Sequence, residues 1–250
     1  MKKYFLLFFL CLFITMSIGC SSKLDMALSR GDIATAKQLL NEGHETSKNT
    51  LCCASSAGDI EIVKKLINEG ANVNYSSITS GPAPLLGACE KGHFEIVKYL
   101  IQKGAHINPP LETSTKKSSP FHAAARGGHI KIIHYLIEKG ADIHYRDSYG
   151  YNAIYRAVGG GGTTTNQLAL TSSSTTYGST YTHTKRSYNV ANPEFIQAVE
   201  RYQETIRLLK KLGVTLEQKS YSGNTTLLNF DKYAFAWRRY NPDFRNELRE

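Results

Sequence analysis

The 250 residues are 41% apolar and 20% charged, enough for a core and for one or two ordinary domains or a single solenoid. The formal charge is +9 and the sequence pI about 9.2, so nucleic acid is the first partner to weigh and set aside. Cysteine is sparse and odd in number at five, which argues against a disulfide framework.

Residues 1–19 read as a leader. Lys2-Lys3 form a positive n-region and residues 4–18 an apolar run of 15, short for a membrane span of roughly 20 residues. The run ends in Ser17-Ile18-Gly19-Cys20, followed by Ser21-Ser22. This segment resembles a bacterial lipobox, with Ser17 standing where that family usually has an aliphatic residue. The resemblance implies lipid attachment at Cys20, residues 20–23 as a short tether, and membrane anchoring in the cell envelope. An ordinary signal peptide cut nearby is the alternative, and an uncleaved anchor ranks below it. Ser21, rather than Asp, resembles the signal for transfer to the outer membrane, facing the periplasm, if the host is Gram-negative. An exported chain meets little nucleic acid, so no nucleic-acid partner is expected. Three cysteines, Cys52, Cys53 and Cys89, then remain as free, mostly buried thiols. Adjacent Cys52 and Cys53 would close a strained ring. Cys89 lies one repeat away, where packed helices stand about 8–10 Å apart.

From residue 24 onward the chain repeats itself. Gly31, Gly58, Gly92 and Gly128 are each followed twelve residues later by Gly43, Gly70, Gly104 and Gly140. The four copies read GDIATAKQLLNEG, GDIEIVKKLINEG, GHFEIVKYLIQKG and GHIKIIHYLIEKG. Each predicts a short helix with one apolar side, with Leu39, Leu66, Leu100 and Leu136 at or beside one core position. In the fourth copy the predicted stripe is Ile130, Ile133, Leu136 and Ile137. Before each copy runs another short helix. The clearest opens at Pro120, where no N–H is needed, and carries the small residues Ala123, Ala124 and Ala125. Gly140 stops the second helix at a position that wants positive φ, and Asp147 to Gly150 supply turn chemistry. The interval from Gly31 to Gly58 is 27 residues, against 34 and 36 for the next two. Residues 44–49 therefore lack room for the turn finger found in the later units.

A fifth unit starts at Asp147 and continues through Asn152-Ala153-Ile154-Tyr155. Residues 159–191 then turn Gly-, Thr- and Ser-rich and are expected to form a flexible insertion. Asn192 and Pro193 open a longer helix with Phe195, Ile196, Val199, Tyr202, Ile206, Leu209 and Leu212 along one side. Residues 220–227 repeat the turn pattern as the start of a sixth, capping unit. The tail from 231 to 250 is charged and aromatic.

Ser119-Pro120-Phe121-His122, Ala124-Ala125, Gly128-His129, Ile132-Ile133, Leu136-Ile137 and Gly140-Ala141-Asp142-Ile143 resemble the ankyrin repeat. That family's pattern is T-P-L-H-x-A-A-x-x-G-H, an I-V-x-x-L-L helix, then G-A-D-V-N. The resemblance implies an all-α ankyrin-repeat solenoid of paired helices with turns over residues 24–250, with about five to six repeats. It also implies structural work for the histidines. His122 matches the family histidine that bonds between neighbouring turns, His93 and His129 open second helices, and His106 and His144 fall in turns where a polar ladder is expected. No catalytic residue, metal site or cofactor follows from the chain. No phosphate loop or nucleophile elbow appears, and Gly159 to Gly162 lack the lysine of a nucleotide loop, leaving them as a linker.

In this family partners are met by turn tips and the exposed side of the first helices. Carried over by position, the candidate partner-binding residues on the concave face are Ser77, Thr79, Ser80, Glu90 and Lys91 in unit three. They are Lys116, Ser118 and Arg126 in unit four, and Arg146, Ser148, Tyr149 and Tyr151 in unit five. Tyr and Arg dominate interface hot spots, which puts Arg146, Tyr149 and Tyr151 first. Against this, Tyr151 has the alternative of packing under the 159–191 segment. The expected function is a non-catalytic, membrane-anchored protein binder. One role resembles periplasmic ankyrin-repeat immunity proteins that neutralise a secreted toxin such as a lipase effector. The other is a scaffold or regulator of an envelope enzyme or stress factor, with a Cys-dependent enzyme last.

Overall fold

A computed structural model describes residues 22–75, 83–108, 118–147, 149–160, 170–177, 181–188, 193–215, 217–219 and 225–227. Residues 1–21, Cys20 among them, lie outside the described residues. The chain is an all-α repeat of paired helices, and it divides into two compact units, residues 1–88 with 95–105 and residues 89–94 with 106–250.

The first unit holds α1 (Lys23–Ser29), α2 (Ile33–Asn41), α3 (Thr50–Ala57) and α4 (Ile60–Asn68), and most of α5 (Pro84–Lys91) and α6 (Phe94–Gln102). Helix α1 starts because Ser22 and Asp25 form a reciprocal capping box that satisfies two backbone donors. Asp25 is itself buried and also takes the hydroxyls of Ser47 and Thr50, each at 2.6 Å. One carboxylate thus ties the first helix to the loop ahead of α3. Lys37 pairs with Asp59 at 2.6 Å, and Lys65 donates to the carbonyl of Leu40 at the end of α2. Residues 44–49 form no finger, as the short interval requires.

The second unit is built on α7 (Pro120–Gly127), α8 (Ile130–Glu138), α9 (residues 153–160) and α10 (Pro193–Lys211). Ser119 caps α7 by accepting from the His122 amide, and Pro120 occupies the first turn. Asn152 does the same one unit later, accepting from Tyr155 N, while its amide donates to Thr215 beyond α10 at 2.7 Å. Phe195, Val199, Tyr202, Ile206 and Leu209 are buried, so the lengthened helix expected from the apolar spacing is present. Its Ile196, and Leu212 just beyond its end, are only half-buried.

The eight phasing glycines all take positive φ, from 69° at Gly128 to 93° at Gly58 and Gly70. Leu66, Leu100 and Leu136 are buried at the shared core position. At the terminal unit Leu39 is half-buried and Leu40 turns inward instead. The stripe on α8 also sits slightly differently from expectation. Ile132, Ile133 and Leu136 are its centre, and Ile130 and Ile137 lie on its flanks.

Two departures concern 159–191. Gly159 and Gly160 close α9 rather than forming a linker. A Cβ on Gly160 would run into the carbonyl of Arg126, as one on Gly127 would run into that of Glu90. The first helices of successive units approach so closely there that only glycine fits, and the repeat register therefore persists to residue 160. Beyond it, β1 (Leu170–Tyr177) pairs antiparallel with β2 (Tyr181–Tyr188), from Leu170↔Tyr188 to Tyr177↔Tyr181. The Thr and Tyr content that argued against a packed core is also strand-forming composition. A second hairpin joins β3 (Glu217–Lys219) to β4 (Thr225–Leu227) where the sixth unit's turn was expected.

Candidate partner-binding surface

Asp147 organises the most elaborate turn. Its side chain is fully buried, and Oδ1 accepts the amides of Tyr149 at 2.9 Å and Tyr151 at 3.0 Å. Oδ2 receives Arg156 from α9 through Nε at 2.9 Å and through Nη2. The backbone closes the same turn, Gly150 N donating to Asp147 O and Asp147 N to Tyr151 O. A buried carboxylate with a guanidinium and two amides is fully compensated, so the turn is held rigidly.

What the turn presents is aromatic. Tyr151 stacks on Tyr155 at 3.8 Å between centroids and 13° between planes, and Tyr149 stacks on Tyr151 at 5.6 Å and 23°. The Arg156 guanidinium lies 5.3 Å from the Tyr151 ring centre. Tyr149, at the outer end, is 42% exposed, whereas Tyr151 is half-buried between its neighbours. Arg146 reaches across the turn and donates to Gly150 O at 3.1 Å. Of the sequence candidates, Arg146, Tyr149 and Tyr151 thus come together. Tyr155 and Arg156 complete the group and were not foreseen. Tyr155 stands where unit four has His122, a position given structural work between turns, and the Arg156–Asp147 pair needs the turn's geometry to be seen.

Two other candidates, Glu90 of repeat three and Arg126 of repeat four, meet. Arg126 Nη1 lies 3.5 Å from Glu90 Oε1, with half the arginine side chain in solvent, so the pair adds little stability. Lys91 is exposed and Ser118 half-buried. Ser77, Thr79, Ser80, Lys116 and Ser148 lie outside the described residues.

The histidines divide. His129 packs beside Gly92 and Gly127 with Nε2 3.0 Å from Glu90 O, and burial lowers its pKa. His122 meets the turn after α8 at Tyr145. It is fully buried edge-on to Tyr145, and neither ring nitrogen makes a hydrogen bond of normal geometry. Burial pushes its pKa down to about 4, with Arg156 adding to the effect and the Asp147 carboxylate and Tyr145 backbone opposing it. His106 and His144 are exposed, and the polar ladder expected in these turns is present, with Asn74 and Asn108 as rungs. The thiols are free: Cys52 and Cys89 are buried and Cys53 half-buried. Burial raises the Cys52 pKa to about 12 and drives Cys89 upward as well, which holds both as protonated thiols at neutral pH. Among the described residues no three His, Cys, Asp or Glu side chains gather as a metal site would need.

Paired helices in phase and an exposed turn tip are the geometry of a binding repeat. Family models for ankyrin repeats match residues 24–110, 85–137 and 121–164. The chain is an ankyrin-repeat protein over residues 24–164. A search among curated proteins finds no match. Ankyrin repeats are protein–protein interaction modules and are generally non-catalytic. The exposed tyrosine of the 147–151 turn belongs to the fifth such unit.

Proposed function

We propose that this ankyrin-repeat chain is a lipid-anchored, non-catalytic binder of the bacterial envelope. Cys20 carries the lipid, and Tyr149, Tyr151 and Arg146 form the centre of the surface that meets a protein partner. The observation that carries this reading is the Tyr149–Tyr151–Tyr155 stack fixed on the Asp147–Arg156 pair. Rigid aromatic area with little entropy left to lose is what an interface hot spot requires. Support for close membrane stationing comes from Ser22, which caps α1 only two residues after Cys20. In a Gram-negative host, Ser21 after Cys20 would send the anchor to the outer membrane, with the binder facing the periplasm.

The partner that fits a short tether is a secreted enzyme attacking the membrane, which makes the chain an immunity protein. Pull-down of the lipidated protein from its own envelope, with an Arg146→Ala/Tyr149→Ala control, tests the surface. A single toxin captured by wild type and lost with the control supports it. Recovery of a resident envelope enzyme or stress factor points to a scaffold, and equal capture by the control removes the proposed surface. The anchor is tested separately by labelled palmitate, which should enter wild type and not Cys20→Ser.

A further inference from the structure

Successive turns are stitched by asparagine. In the first unit, Asn74 Nδ2 donates to the carbonyl of Gly104 at 3.0 Å. In the second, Asn108 Nδ2 donates to Gly140 O at 2.8 Å while its Oδ1 accepts from Asp142 N at 2.9 Å. One primary amide therefore reads two backbone groups of the following repeat: the carbonyl of the glycine that ends the second helix, and the N–H two residues later. A neutral amide is the side chain that offers a donor and an acceptor together.

Gly70 O and Asn72 N hold those two positions in the second repeat. The residue that should address them belongs to the first repeat, whose interval is 27 residues and leaves residues 44–49 without a finger. Among the described residues no hydrogen bond reaches either group, and both residues are exposed. A cleft of about 460 Å³ opens beside them, lined by Gly70, Ala71 and Asn72 together with Leu51, Leu66 and Tyr75. The later joints show what belongs in such a place. Val73-Asn74 and Ile107-Asn108 each put a half-buried aliphatic residue directly before the bonding asparagine.

We infer that this cleft is a second docking site, which takes an extended segment of a partner protein carrying an aliphatic residue followed by asparagine. The asparagine amide donates to Gly70 O and accepts from Asn72 N, and the aliphatic side chain enters the cleft beside Leu51, Leu66 and Tyr75. The partner segment supplies in trans the rung that the short first interval omits. This is main-chain recognition of an extended peptide, with affinity from backbone groups and selectivity from one amide and one apolar contact. It does not depend on the tyrosine turn, and the two sites fail or stand separately.

The test uses the full, isotope-labelled chain and a blocked heptapeptide with the sequence of residues 70–76, Gly-Ala-Asn-Val-Asn-Tyr-Ser. Titration followed by NMR should shift the amides of Ala71 and Asn72. Replacing the peptide's second asparagine by leucine should weaken binding at least tenfold. Lengthening residues 44–49 so that the first repeat carries its own aliphatic–asparagine pair should abolish binding while the helical spectrum stays. The inference is overturned if no shift appears at millimolar peptide, if both peptides bind equally, or if the shifts lie elsewhere. It is also overturned if Asn229→Ala moves the same amides without peptide, since the chain's own Leu228-Asn229 would then be the occupant.

Discussion

The loop at 44–49 and the turn at 145–151 follow the second helices of units one and four, and they are built in opposite ways. The first has lost its finger. Its joint is held from the side by Asp25 with Ser47 and Thr50, by Lys37 with Asp59, and by Lys65 on Leu40. The second is over-determined, with Asp147 taking two amides and a guanidinium and lifting a tyrosine into solvent. A repeat can therefore be joined without its turn, and a turn with more bonds than joining requires is one that serves recognition.

The strongest way to break this contrast is to remove the organising carboxylate. Asp147→Ala strands the Arg156 charge and two amides, and should cost about 3–5 kcal/mol in urea unfolding. Asp25→Ala at the other joint leaves hydroxyls rather than a charge unpaired and should cost less, about 1–3 kcal/mol. A larger loss at Asp25 would reverse the comparison.

Acid sharpens it next. His122 binds a proton near pH 6.5 when unfolded and near 4 when folded, so the unfolded state holds more protons between those values. Stability should be level above about pH 7 and fall through this window by about 3 kcal/mol. His122→Leu, which copies Leu86 of unit three, should flatten that part of the melting profile. An unchanged pH dependence would show that the histidine is not neutral inside. Smaller still is the ladder. Asn108→Ala removes two exposed bonds and should cost about 1 kcal/mol, with amide exchange accelerating at Asp142. Tyr149→Ala should change stability by no more than about 0.5 kcal/mol, being a surface substitution on a turn that the carboxylate already holds.

Much of the fold was legible because glycine is. Positive φ after each second helix fixed the phase, and the apolar stripe followed within a residue or two. The shortened first interval was visible as simple counting. What escaped depends on distance in space. Arg156 reaches Asp147 across nine residues, and Asn74 reaches Gly104 across thirty. The asparagines at 74 and 108 were a signal in plain view, recurring in register, but a pattern match does not say which backbone groups a side chain meets. The family role given to His122, a link to a neighbouring turn, survives as contact with Tyr145, edge to ring and at its backbone, short of a bond of normal geometry. At 170–188 composition was read as loop, although Thr and Tyr pair readily as strands.

The central claim is that Tyr149, lifted on this turn, contributes to partner binding and not to folding. Calorimetric titration of the captured partner into wild type and Tyr149→Ala, each shown to melt alike, tests it most directly. The account expects affinity to fall about thirtyfold or more, the 2 kcal/mol expected of a hot spot. Equal affinity for the two proteins would contradict it.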